Sequence, residues 1–356
     1  MELSREEIER YNRQILIPEF GLEGQKKLKN ASVLVIGAGG LGSPVLLYLT
    51  ASGIGRIGVV EHDIVDLSNL QRQILYEEKE VGSKKIDAAG ERLKNLNENI
   101  TIQKHPTRLT RYNALEIVEN YDLVIDGSDN FPTRYLVNDT CELLNKPFVY
   151  GAIHQFEGQV SVFNYNGGVT YRDLFDKPPA EDMAPNCSTA GVLGMMAGIV
   201  GSLQAIEAVK IITGIGRVLN GELLLIEVLS MNVRKIKILT NPEKRPITEL
   251  IDYEAFCSSG NVLESITFEK FKELNKDDYQ LIDVRSEREY LLANLGGELI
   301  PLEDLESKIL SIKKDKTVVI HCQSGGRSKT AIRLLKEKYN FTNLINLEGG
   351  MNAIDS

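Results

Sequence analysis

The chain has 356 residues, 42% hydrophobic and 26% charged, a balance that suits a soluble globular protein of two domains. A formal net charge of −9 argues against a general nucleic-acid binder, which needs basic surface to displace counterions. The charged opening MELSREEIER lacks the apolar segment of a signal peptide or anchor, and four cysteines without a CxxC pair suggest a reducing cytoplasm and no disulfide framework.

Residues 31–36 (ASVLVI) read as a strand, followed by Gly37-Ala38-Gly39-Gly40-Leu41-Gly42 and a helical pattern over 43–53. Strands at 56–63, 100–105, 121–130 and 146–152 alternate with helices at 81–97 and 131–145. That alternation implies a mostly parallel, Rossmann-like sheet covered by helices on both faces. After Gly151 the runs 157–166, 221–228 and 232–239 alternate apolar and polar residues, so an antiparallel extension is expected. The proline-rich stretch 176–187 between them must be a loop. Residues 191–214 are long and apolar enough to be mistaken for a membrane span. Gln204, Glu207 and Lys210 recur every three residues there, and a buried helix is the better reading. The polar stretch 241–261 reads as a linker between a first domain over 1–240 and a second over 262–356, where a smaller β/α alternation restarts.

The glycines of Gly37-x-Gly39-x-x-Gly42 permit a tight turn and a close approach of backbone to phosphate at a helix N-terminus. Glu61, at the end of the second strand, suits ribose hydroxyls. A nicotinamide enzyme would use the same two features. It would leave idle Asn69 and Arg72, three apart on an expected helix, Lys85 at the start of the next helix, and Asp129 and Asn130 after the fourth strand. Cleavage of a triphosphate needs such groups: cations against the developing pyrophosphate and a carboxylate for magnesium. Asp129 could also serve as the N-cap of the helix at 131–145.

Several ordered segments, RYNRQI at 10–15, GAGGLG, EHDIVDLSNLQRQ, VGSKK, DGSDNFPTR and PNCSTAGVLG, resemble the MoeB/ThiF branch of the ubiquitin-activating-type adenylyltransferases over about residues 5–250. The resemblance implies an ATP site built from Gly37, Gly39, Gly40, Gly42, Glu61, Ser68, Asn69, Arg72, Lys85, Asp129 and Asn130. Asp129 would hold magnesium, and Arg13 would reach the phosphates of the other subunit in a homodimer. It further implies a ubiquitin-like carrier ending in Gly-Gly as the acyl substrate. Molybdopterin, thiazole, tRNA-thiolation and cysteine pathways all use such carriers. Most relatives bind zinc through two CxxC pairs; here those segments read Thr170-Tyr171-Arg172-Asp173 and 241–247 (NPEKRPI). With no cysteine in either, no zinc site is expected. A carrier-binding scaffold without catalysis is the remaining alternative, and the complete phosphate-site set speaks against it.

In the second domain, Cys322-Gln323-Ser324-Gly325-Gly326-Arg327 follows a strand and opens a helix. Successive backbone N–H groups at a helix start lower a thiol's pKa, and Arg327 would add positive charge. Four residues separate Cys322 from Arg327, against five in cysteine phosphatases, and the tighter loop suits sulfur. With LIDVRSEREY at 281–290 and LEGGMNAI at 347–354, this region resembles a rhodanese-like domain. Cys322 would then carry a persulfide loaded by a donor such as a cysteine desulfurase. Cys187, after the proline-rich loop, matches a cysteine that forms a covalent acyl intermediate in some relatives. Cys141 is expected in the core, and Cys257 has no assigned role.

Overall fold

The computed structural model describes residues 2–178, 191–244, 246–259 and 263–354. Two compact units result, the first ending at Cys257 and the second beginning at Ser258. Cys187 lies outside the described residues.

In the first unit, Ser4 and Glu7 form a reciprocal cap that starts α1 (Arg5–Ile15), which is followed by α2 (Gly21–Asn30). The apolar run then becomes β1 (Ser32–Ile36), buried along its whole length. Its side chains alternate between two layers, as a pleated strand requires. Val33 and Val35 pack with Val45, Leu46 and Leu49 of α3 (Gly42–Ser52), while Leu34 and Ile36 pack with Tyr135 and Val137 of α6 (Phe131–Leu143). Parallel pairing joins β1 to β2 (Arg56–Val60) and to β4 (Leu123–Asp126). Next to these lie β3 (Thr101–His105) and β5 (Phe148–His154), also parallel; α4 (Lys85–Leu96) crosses from β2 to β3, and the short α5 (Ala114–Val118) lies between β3 and β4 in the chain. The strands β6 (Glu157–Phe163), β7 (Glu222–Glu227) and β8 (Asn232–Lys237) then pair antiparallel. The eight strands run in the order β3-β2-β1-β4-β5-β6-β7-β8. The order reverses between β1 and β4, which opens a crevice at their C-terminal ends.

Among the described residues one helix, Gly194–Thr213, has the length and composition to cross a membrane. It lies against the sheet instead, and its polar residues are bonded inside the fold. The Gln204 amide donates to the Asp126 carbonyl at 2.7 Å, and Glu207 accepts from the Leu219 amide at 2.9 Å.

Of the stretch 241–261, expected as linker, residues 246–257 dock on the first unit. Tyr253 and Ile251 belong to the layer that holds Tyr135 and Phe163. The Tyr253 hydroxyl donates to Asp139 at 2.8 Å, and Arg172 donates to the same carboxylate through Nε and Nη2 at 2.7 and 2.8 Å. The Phe256 ring sits 5.2 Å from that of Tyr135. Cys257 takes part in this packing, and burial pushes its thiol up to about 11. Cys141 is fully buried in α6, as its place in the sequence suggests.

The second unit holds a five-stranded parallel sheet in the order β11-β10-β12-β13-β9. Its centre is β10 (Tyr279–Asp283), β12 (Thr317–His321) and β13 (Leu344–Leu347), flanked by β11 (Glu298–Leu299) and β9 (Ser265–Ile266). The helix after β12 spans Gly326–Tyr339 and packs Ala331, Ile332 and Leu335 onto the strands.

Candidate active site

A cleft open to solvent lies at the C-terminal ends of β1, β2 and β4. Gly37, Gly39, Gly40, Glu61, Arg72, Lys85, Asp129 and Asn130 line it together. Gly42, Ser68, Asn69 and Arg13 are not among the lining residues. Gly42 acts through close packing, since a Cβ there would stand 2.0 Å from the Gly37 carbonyl oxygen.

The loop after β1 is held from two sides. The Ala38 amide donates to Glu61 Oε2 at 2.9 Å, and the Tyr76 hydroxyl donates to the Ala38 carbonyl at 2.8 Å. Burial pushes the Tyr76 phenol up, so it remains a donor at neutral pH. The other Glu61 oxygen accepts from the His62 and Asp63 amides at 2.7 and 2.8 Å. Glu61 thus organises the loop with both oxygens while lining the cleft.

Asn69 and Arg72 do not share a regular α-helix. Leu67–Asn69 is a single 3₁₀ turn, capped by the Asp66 carboxylate, and the chain turns on through Arg72. The reason is local: the Asp66 carboxylate accepts from the Ser68 amide and Asn69 Oδ1 accepts from the Asp66 amide, bonds that compete with helical pairing. Arg72 Nη1 donates to the Ser68 carbonyl at 3.0 Å, which ties it to the same turn. Lys85 is buried at the first turn of α4, with Nζ 3.4 Å from Asp63 Oδ2.

Asn130, not Asp129, caps α6: its Oδ1 accepts from the Thr133 amide at 3.0 Å. The capping alternative for Asp129 is therefore excluded, and its carboxylate is left at the cleft rim. Asp129 belongs to no tight His/Cys/Asp/Glu group among the described residues; the one such group is Glu61, His62 and Asp63. A magnesium ion beside Asp129 would draw its other ligands from phosphate oxygens and water, as that ion commonly does.

Lining residues without a role in the sequence reading include Gln73, Arg108, Leu109 and Arg134. Gln73 and Arg134 stand inside the segments EHDIVDLSNLQRQ and DGSDNFPTR, so the signal was present. Arg108 and Leu109 follow β3 in an unremarkable stretch, and only the fold brings them to the cleft.

In the second unit, Cys322 follows β12 and is 1% exposed. The Gly325 amide donates to its sulfur at 3.2 Å, and the Ser328 hydroxyl lies 3.6 Å from it. Gly325 holds φ +95°, which lets the chain curl back over the sulfur. Burial pushes the thiol up, but the amides of Ser328, Ser324 and Gly325 and the Ser328 hydroxyl outweigh it and lower its pKa. Ser328, which the sequence reading did not single out, is buried and reaches Asn346 Oδ1 at 2.7 Å.

Arg327 is also paired with a carboxylate: both terminal nitrogens meet Glu289 in a two-pronged pair. Glu289 does most to raise the guanidinium's pKa, and Cys322 adds a smaller attraction. Arg327, with Ser286, holds the Glu289 carboxyl well below the usual range.

Residues 11–247 match the ThiF family and residues 267–356 the rhodanese-like domain. A Mycobacterium tuberculosis protein named probable adenylyltransferase/sulfurtransferase MoeZ is 43% identical, over 99% of this chain and 93% of its own length. The sulfur carrier protein adenylyltransferase of Thermus thermophilus is 52% identical, over 72% of this chain and 99% of its own. The crystal structure of E. coli MccB with MccA-N7isoASN superposes with a TM-score of 0.61 at 21% identity, over 69% of this chain and 75% of that one, a likeness of fold. This chain belongs to the ThiF family and carries a rhodanese-like domain at its C-terminal end.

Proposed function

We propose that this chain uses ATP to adenylate the C-terminal carboxylate of a ubiquitin-like sulfur carrier and replaces the adenylate with sulfur carried on Cys322. The observation that carries this reading is the single cleft that gathers the glycine loop, Arg72, Lys85 and Asp129 at the sheet's switch point. The relatives' names, adenylyltransferase and sulfurtransferase, support it.

A carboxylate oxygen of the carrier attacks the α-phosphorus of ATP. An acyl-phosphate P–O bond forms, the bond to the β-phosphate breaks, and pyrophosphate leaves. No general base is required, because a carboxylate is ionised at neutral pH. Two anions must meet, so Arg72 and Lys85 offset charge and the glycine loop positions the phosphates. Asp129 would hold magnesium, which when bound neutralises phosphate charge. A Gly-Gly terminus, without side chains, suits entry into such a cleft.

The terminal sulfur of a Cys322 persulfide then attacks the acyl carbon and AMP leaves, giving an acyl disulfide. A second thiol attacks the Cys322 sulfur and frees the thiocarboxylate; we assign Cys187 to this step. The resulting disulfide is returned to two thiols by a cellular dithiol. The persulfide comes from a donor such as a cysteine desulfurase.

We further infer a homodimer in the cytoplasm. Arg13 is exposed on α1 and is not among the lining residues of its own cleft; Ile8, Leu16 and Ile17 of the same segment are exposed too, Leu16 at 65%. Exposed apolar residues in the same segment as that cation suit a subunit contact that would place Arg13 at the partner's phosphates. We also infer that no zinc is held at Thr170 and Asp173, since the Lys244 ammonium bonds Thr170 Oγ1 at 3.0 Å and would repel a dication.

The test is pyrophosphate–ATP exchange with carriers that end in Gly-Gly, followed by mass spectrometry of the carrier for thiocarboxylate. Exchange and one added sulfur on Cys322 are expected. Absence of exchange with every such carrier would sink the reading.

A further inference from the structure

Behind Asp129 lies a group of buried polar atoms that the reaction outlined above leaves unused. Asp126 ends β4 and is fully buried. Its Oδ1 accepts from the Ser128 amide at 2.9 Å, while Oδ2 has no hydrogen-bond partner among the described residues. Arg134, on α6, is 9% exposed and lines the cleft. Its guanidinium carbon stands 5.3 Å from the Phe131 ring centre and 5.6 Å from that of Tyr150, and its Nη2 reaches the Ser128 carbonyl at 3.5 Å. Arg134 Nε and Ser128 Oγ are likewise without partners among the described residues. Gln204 fixes the end of the same strand through its bond to the Asp126 carbonyl.

Such an arrangement is poor economy if its purpose is stability. A buried carboxylate and guanidinium are costly to desolvate, and polar atoms left unbonded add to that cost. What the arrangement does achieve is geometric. The turn 127–128 is gripped on both sides, its amide by Asp126 and its carbonyl by Arg134. The next residue is Asp129. Burial pushes the Asp126 carboxyl up, and the charge of Arg134 opposes that rise.

We propose that Asp126 and Arg134 are positioning residues for adenylation, which clamp the turn 127–128 so that the Asp129 carboxylate meets the cation carried by the phosphates. The proposal rests on the adenylyltransferase reading above. Gly127 fits the same purpose, because a Cβ there would stand 2.9 Å from the Ile36 carbonyl oxygen, so the turn lies tight against β1.

The test compares full-length wild type with Arg134→Met, Arg134→Lys and Asp126→Asn in carrier-dependent pyrophosphate exchange, each titrated with magnesium. Arg134→Met and Asp126→Asn should lose about 10–100-fold in kcat, the scale of a displaced catalytic group. Their half-saturating magnesium concentration should rise several-fold, and Arg134→Lys should recover part of both losses. Sulfur loading of Cys322 in the same preparations reports an intact second unit, and thermal melting reports the first. Unchanged magnesium midpoints in folded Arg134→Met and Asp126→Asn would overturn the proposal. So would a loss that lysine does not relieve and magnesium does not modulate. A wild-type chain that never exchanged pyrophosphate would overturn the functional reading itself, an outcome visible before any variant is made.

Discussion

Lys244 Nζ donates to Thr170 Oγ1 at 3.0 Å and stands 3.7 Å from the Asp173 carboxylate. Asp173 in turn accepts from the Thr170 amide and from the Asn241 amide at 2.7 and 2.8 Å, and Glu142 lies 3.4 Å from the same ammonium. This polar knot joins the segment after β6 to the segment after β8, the two stretches in which the family resemblance would place zinc ligands.

Removal of the knot's cation should therefore cost stability without touching chemistry. Lys244→Ala is expected to destabilise the chain by about 1–3 kcal/mol, the range for a buried hydrogen bond to a charged group. Burial raises the Asp173 pKa, but the amides of Asn241 and Thr170, with Lys244, outweigh it and hold it below its ordinary value. A depressed carboxyl stabilises the fold above its unfolded pKa and loses that contribution as pH falls through the folded value. The difference between wild type and Lys244→Ala should hence be full at neutral pH and shrink below pH about 4. Urea melts at several pH values would check this, and elemental analysis should find no stoichiometric zinc.

Arg72→Ala and Asp129→Ala separate the two activities. Each should lower carrier-dependent pyrophosphate exchange by about 10²–10³-fold, as loss of one group that meets developing charge does. Sulfur loading of Cys322 should stay at the wild-type level in both. A variant with full exchange would remove its residue from the proposed site.

The Ser328 hydroxyl is one of the groups that lower the Cys322 pKa. Ser328→Ala should shift the pH profile of iodoacetamide alkylation at Cys322 toward alkaline pH, since less of the thiol is then ionised at pH 7. Cys322→Ser should abolish sulfur loading and leave pyrophosphate exchange intact. A profile that does not move would mean the backbone amides set the thiol's ionisation alone.

Tyr253 anchors the stretch that ends the first unit. Tyr253→Phe keeps the ring and removes the bond to the buried Asp139, so a loss of about 1–3 kcal/mol is expected. Tyr253→Ala also empties the ring's place and should cost about 3–5 kcal/mol, as for other large aromatic truncations. Circular dichroism melts of the full chain would measure both.

The linear order of residues determined the two α/β units, the parallel sheet with its antiparallel extension, and the reactive loop at Cys322. Those features are local: strand and helix periodicity, glycines between a strand and a helix, and a cysteine at a strand end. Tertiary structure alone decided what each charge faces. Arg327 meets Glu289 from 38 residues away, Asn130 takes the cap that frees Asp129, and the stretch 246–257 docks through Tyr253 and Phe256 although its sequence shows no period. Arg108 and Leu109 also come to the cleft only because the sheet reverses its order between β1 and β4. The physical reason is range. Backbone preference and hydrophobic pattern act over a few residues, whereas a charge chooses its partner from whatever folding brings within a few ångströms.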